Sequence, residues 1–219
     1  MKQLIELAEK NIKDEKLRKL VVDFLKDPKL SHKDFRKYPM EKLENARTLF
    51  GGAGVTAERD ILNHSLALAE LCMRTSEILK EKYGIPINTD DLIAAAILHD
   101  IMHLYEYKRT EAGVEHTGLS LDHTTLAVAE LYHRGFPEEL IHVIAAHAGE
   151  AGLTSPRNFE ALIFHHLDNM LAMTEFHLYA GRSQQPLMVL DEETIKKIIG
   201  EQAEQEKDKS KDDKENKEK

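Results

Sequence analysis

The sequence predicts an all-α fold, a compact helical bundle, on three observations. Leu, Ala, Glu and Lys dominate the 219 residues. Apolar positions recur at three- and four-residue spacing through most of the chain, and the period-2 alternation of half-buried strands is scarce. Residues 2–12 and 14–26 read as two amphipathic helices, stopped before Pro28. The polar stretch 27–40, with Pro28 and Pro39, reads as loop, and 40–50 as a helix ended by Gly51 and Gly52. A long helix is expected from about Thr56 to Tyr83, where Gly84 and Pro86 supply the stop. Asn88-Thr89-Asp90-Asp91 offers an N-cap and an acidic first turn to a helix reaching about Tyr107. Residues 110–118 hold two glycines and read as loop. Helices over about 119–134 and 137–148 follow, with Gly135 suited to a stop and Pro137 to a first turn. After a Gly/Ser/Pro loop at 149–156, a long helix is expected over about 157–180 and a short one over 191–200.

This order divides the chain into N-terminal helices at 1–57, packed on a core at 58–200, and a tail at 201–219. The tail holds eight acids, six lysines and no aliphatic residue larger than Ala. It buries too little apolar surface to offset the entropy of ordering, so disorder is expected there. With 39 acidic against 30 basic residues and a net charge of −9, the chain is a poor candidate for non-specific nucleic-acid binding, which needs a basic field, and none is expected. No apolar run approaches a membrane span, and the N-terminus lacks the apolar core and cleavage site of a signal peptide. A single cysteine, Cys72, excludes an intramolecular disulfide framework and fits a cytoplasmic location.

The compositional oddity is 12 histidines. Leu92, Ala96, His99 and His103 share one stripe of a helix that is apolar almost all round from Leu92 to Leu98. Such a helix is buried. It therefore ends in two adjacent ionisable groups, His99 and Asp100, inside the core. A buried carboxylate is expensive unless paired or metal-bound. Two readings are open: a His–Asp pair tying two helices together, or metal ligands. His64 shares its face with Ile61, Leu68 and Leu71, and Asp168 follows His165 among Leu162, Phe164, Leu167 and Leu171. Histidines and carboxylates on the inner faces of three helices suit a metal held in the core of a helical domain.

His64-Ser65, then Ala94-Ala95-Ala96-Ile97-Leu98-His99-Asp100-Ile101, then Asp168 resembles the HD superfamily of metal-dependent phosphohydrolases. The resemblance spans roughly residues 58–180. It implies an HD-type helical bundle with a metal held by His64, His99, Asp100 and Asp168. His123 and His147 resemble the extra ligands of the superfamily's binuclear branch, where the dyad Asp bridges two ions. Without a metal, His123 is a helix-start residue and His147 a partner of a helix C-terminus. Ala148 replaces a second His of that branch and no Gly-Tyr-Pro follows, which argues against a cyclic-di-GMP substrate.

Imidazole and carboxylate donors suit a divalent transition metal: Fe, Mn, Ni, Co or Zn, with one ion implied and a second open. The implied reaction is hydrolysis of a small phosphate ester, a nucleotide or a cyclic phosphate, by metal-activated hydroxide. Asp100 and His103 are the catalytic candidates. His103 stands one turn after His99, where many relatives carry Lys or Arg. It can contact phosphate, protonate the leaving oxygen or support a ligand. Arg59, Lys108 and Arg109 are candidates to bind the phosphate, or else solvated surface charges. The alternative function is a non-catalytic metal-binding helical module for sensing or partner docking.

Overall fold

The computed structural model describes residues 1–52 and 55–180, without the side chains of 51, 52, 55 and 180. The expected helix at 191–200 and the tail at 201–219 lie outside the described residues. In chain order come α1 (Lys2–Asn11), α2 (Glu15–Lys26), β1 (Arg47–Gly52), β2 (Val55–Asp60), α3 (Ile61–Tyr83), α4 (Thr89–Leu98), α5 (His103–Glu106), β3 (Tyr107–Thr110), β4 (Gly113–His116), α6 (His123–His133), α7 (Glu138–Ala145) and α8 (Phe159–Ala180). The class is all-α, with two small antiparallel hairpins added.

The centre of the bundle is α4. Every residue from Asp91 to Leu98 is buried, and α1, α2, α3, α7 and α8 all pack against it. Its start is set by Asn88, whose side chain accepts from the Asp91 N–H. The helices α1 and α2 present Leu4, Ala8, Val21, Phe24 and Leu25 to the same core. The long helix α3 is capped by Asp60, which accepts from the Asn63 N–H, and ends at Gly84 in the left-handed conformation, φ 66°. On α8, Ala161, Phe164, Asp168 and Glu175 are buried at spacings of three, four and seven, one inward stripe of a helix.

Four expectations are corrected. Residues 40–50 are not helical: after a turn, β1 pairs antiparallel with β2, Arg47 opposite Asp60 and Gly52 opposite Val55. Gly51 and Gly52 therefore lie in strand β1 rather than stopping a helix. The long helix starts at Ile61 rather than Thr56, because 56–59 alternate, with Thr56 and Glu58 outward and Ala57 and Arg59 buried. The helix expected to reach Tyr107 breaks after Leu98. Its hydrogen bonds tighten there to i→i−3, from Ile101 to Leu98 and from His103 to Asp100, and the chain leaves α5 as strand β3. The expected loop at 110–118 contains β4, paired with β3 from Tyr107 opposite His116 to Thr110 opposite Gly113.

Candidate metal centre

Five elements deliver the polar side chains to one place. His64 lies in the first turn of α3, and His99 and Asp100 at the tightened end of α4. His123 is the first residue of α6, set by Asp122, which accepts from the Thr125 N–H. His147 follows α7 in a turn that needs glycine: Gly149 has φ 60°, and a Cβ there would meet the His165 ring at 2.5 Å. The His165 ring in turn sits with Nδ1 2.7 Å from the carbonyl of His147. Asp168 and Glu175 come from α8.

Asp100 is the hub, and it is 1% exposed. Its Oδ2 takes the Arg59 guanidinium and lies 3.4 Å from His99 Nε2 and 4.0 Å from His64 Nε2. Its Oδ1 lies 3.5 Å from both His103 Nε2 and His123 Nε2. The two oxygens thus face two different histidine groups. Asp168 Oδ1 closes the first group, 3.0 Å from His64 Nε2 and 3.8 Å from His99 Nε2. Donor atoms of His64, His99 and Asp168 all lie within 4.8 Å of one another, and so do those of Asp100, His123 and His147.

Partners behind the rings orient them. His64 Nδ1 meets Glu175 at 3.0 Å, and His147 Nδ1 meets the Ile144 carbonyl at 2.7 Å. Acceptors there require Nδ1–H, which leaves Nε2 turned inward, the arrangement usual for metal-binding histidines. His99 stands apart. Both its ring nitrogens are fully buried and lack a hydrogen-bond partner among the described residues. A buried ring with no partner is costly as protein alone. It fits a donor set of imidazoles and carboxylates around a divalent ion.

The charges follow from these contacts. Burial opposes charge on His64, but Asp168 and Glu175 outweigh it and raise its pKa to about 9. Burial drives His99 down to about 3, against the pull of Asp100 and Asp168. Asp100 is held well below the usual carboxylate range: burial opposes this, and Arg59 with His99 and His103 overcomes it.

Residues 61–173 match the HD domain family. Over 170 residues, 77% of this chain and 67% of the relative, the chain is 41% identical to dihydroneopterin 2′,3′-cyclic phosphate phosphodiesterase of Methanocaldococcus jannaschii. No solved structure matches it. The chain belongs to the HD domain family. This HD protein is therefore a metal-dependent phosphohydrolase acting on a phosphate ester.

The HD dyad, His64 and Asp168 are brought together, with His103 and His123 around the other Asp100 oxygen and His147 within reach of Asp100 and His123. Arg59 is buried against Asp100, with its Nε lacking a partner among the described residues. Lys108 and Arg109 are elsewhere. Both are about half exposed on β3, within 3.7 Å of Glu115 and 3.3 Å of Glu58 respectively. Two residues escaped the sequence reading, Glu106 and Glu175. Each had a spacing signal: Glu175 is two turns beyond Asp168, and Glu106 is three residues after His103. Among the described residues, no helix is long and apolar enough to cross a membrane.

Proposed function

We propose that this HD protein hydrolyses a small cyclic phosphate diester, such as a 2′,3′-cyclic phosphate, with two divalent ions. The observation that carries the reading is the placement of Asp100, one oxygen toward His64, His99 and Asp168 and the other toward His103 and His123. We assign the first ion to His64, His99, Asp100 and Asp168, and the second to Asp100, His123 and His147. Fe, Mn, Ni, Co or Zn all suit these donors. Bound there, such ions supply Lewis acidity to water and to phosphoryl oxygens.

The chain's own residues do the rest. Arg59 keeps the Asp100 carboxylate charged and brings a guanidinium beside the site, where phosphate can use it. His103 turns Nε2 toward the centre and gives its proton to the oxygen that leaves phosphorus. Lys108 and Arg109, half exposed on β3, add cationic charge that attracts an anionic ester from outside the ligand cluster. The name of the relative supports a cyclic phosphate over a monoester. A cytoplasmic location fits the free thiol of Cys72.

The test is metal analysis combined with a hydrolysis screen over monoesters, open diesters and 2′,3′-cyclic nucleotides. Metal-dependent opening of the cyclic esters, lost on chelation and restored by Mn, Fe or Zn, is expected. Stoichiometric metal without turnover of any ester would favour the non-catalytic module instead.

A further inference from the structure

Glu106 lies outside the ligands proposed above, yet it is the centre of its own polar group. It is the last residue of α5, and its side chain is 13% exposed. Its Oε2 accepts from His103 at 2.5 Å and lies 3.7 Å from His123 Nδ1, while Oε1 lies 3.9 Å from His116 Nε2. An ionised carboxylate has no hydrogen to give, so the hydrogen of the short contact is on His103 Nδ1. That leaves His103 Nε2 as the nitrogen facing Asp100 Oδ1 at 3.5 Å. The ring is also held on its face. It stacks on His123 with 3.8 Å between centroids and planes 28° apart. A flipped ring would keep the stack but turn a carbon toward Glu106, so the carboxylate is what selects the orientation.

We propose that Glu106 is a positioning residue: it holds the Nδ1–H of a His103 imidazolium, so that the second hydrogen, on Nε2, is the one delivered to the leaving oxygen of the phosphate ester. This rests on the hydrolase reading above. In the step, water adds to phosphorus and the P–O bond to the leaving alcohol breaks. The Nε2 proton passes to the departing oxygen, and the proton shed by the water restores His103. The Nδ1–H stays on Glu106 throughout.

A proton donor matters for an alcohol that leaves poorly and hardly at all for a stable phenolate. The experiment compares Glu106→Gln, His103→Gln and the double variant as full chains loaded with zinc. One ester is 2′,3′-cyclic AMP, whose leaving group is an alkoxide. The other is bis(4-nitrophenyl) phosphate, whose nitrophenolate leaves without help. On the cyclic ester each single variant should lose about 100-fold in kcat with KM little changed, within the usual range for proton transfer. The double variant should lose no more than the worse single one. On the nitrophenyl ester all three should stay within about 3-fold, since that departure needs no proton. Metal per chain should be unchanged.

Equal losses on both esters, or loss of metal from Glu106→Gln, would overturn the proposal. The latter would make His103, Glu106 and His123 a cation site. If His103→Gln alone discriminates between the esters, His103 is the donor and Glu106 does not position it. If the wild type turns over neither ester, the cyclic-diester reading fails and the proton step with it. Histidine nitrogen NMR of the zinc-loaded protein reads the positioning separately. At a pH high enough for the ring to be neutral, the wild type should show the remaining His103 hydrogen on Nδ1, and Glu106→Gln should mix the two tautomers. An unchanged spectrum overturns the positioning role whatever the kinetics give.

Discussion

The two ends of α4 each bury a carboxylate, and their surroundings drive them apart. At the C-terminal end Asp100 is ringed by Arg59 and by the nitrogens of His64, His99, His103 and His123, and it stays charged far below the usual range. At the N-terminal end Asp91 is 6% exposed, and Glu139, Glu160, Asp90 and Asp14 surround it. Burial and these like charges raise its pKa to about 6. A helix N-terminus favours negative charge, yet here the neighbours outweigh it. Burial costs both carboxylates their hydration. What decides the charge is whether cations or other acids replace the water. Only the Asp100 end is prepared to hold metal.

The sharpest way to break this contrast is to change each carboxylate in turn. Asp100→Ala is expected to abolish ester hydrolysis and deplete bound metal, measured by elemental analysis of the purified variant. Asp91→Asn is expected to keep both at wild-type level. A metal-loaded, active Asp100→Ala variant would remove Asp100 from its central role.

The Asp100 end also has two sides that differ in their supply of ligands. His64, His99 and Asp168 serve one oxygen from deep in the core, while His123, 21% exposed in its side chain, sits on the other. Ala148 offers no further donor there. The second ion should therefore bind more weakly than the first. His123→Ala or His147→Ala is expected to cost about 10- to 100-fold in activity while the first ion stays bound, of the order seen when support for a metal is lost. Titrating metal into the apoprotein checks this. Full activity at one equivalent, with no gain from more, would make the site mononuclear.

Smaller again is the effect expected behind His64. Glu175 holds the His64 Nδ1 at 3.0 Å, so Glu175→Gln should weaken the first ion about 10-fold without removing it. Competition with a chromogenic chelator measures that shift, and an unchanged affinity would show that packing alone orients the ring.

Much of this architecture was legible because helical periodicity and burial point the same way. The apolar run Leu92–Leu98 closing on His99-Asp100 marked a buried helix ending in charge, and α4 is that helix. The hairpins were not legible for physical reasons. Alternation at 56–59 covers only four residues, and Arg59 occupies an inward position where a strand pattern expects an apolar residue. The break after Leu98 leaves no mark either, since Ile101, Met102, Leu104 and Tyr105 continue the buried run through the tightened turns. Glu106 and Glu175 were not singled out, because the approach of His103, His123 and His64 to them is set by the folded chain.

The smallest expected effect returns to the other end of α4 and concerns stability. The pKa of Asp91 rises from an unfolded value near about 3.9 to about 6 in the folded protein. The folded state therefore holds its proton more tightly than the unfolded chain. The stability this lends is fully present below about pH 4 and is lost as pH rises through about 6. Asp91→Asn removes the titration and keeps the contact, because the amide oxygen can still accept from Asn88 Nδ2, which meets Asp91 Oδ2 at 2.7 Å. The variant should match the wild type at pH 4 and exceed it at pH 7 by about 1 kcal/mol, a figure reduced for the water that still reaches the group. Urea unfolding of both proteins from pH 4 to 8 measures the gap. A difference that stays constant with pH would mean that Asp91 titrates alike in the folded and unfolded chain, and that its burial and acidic neighbours cost it nothing.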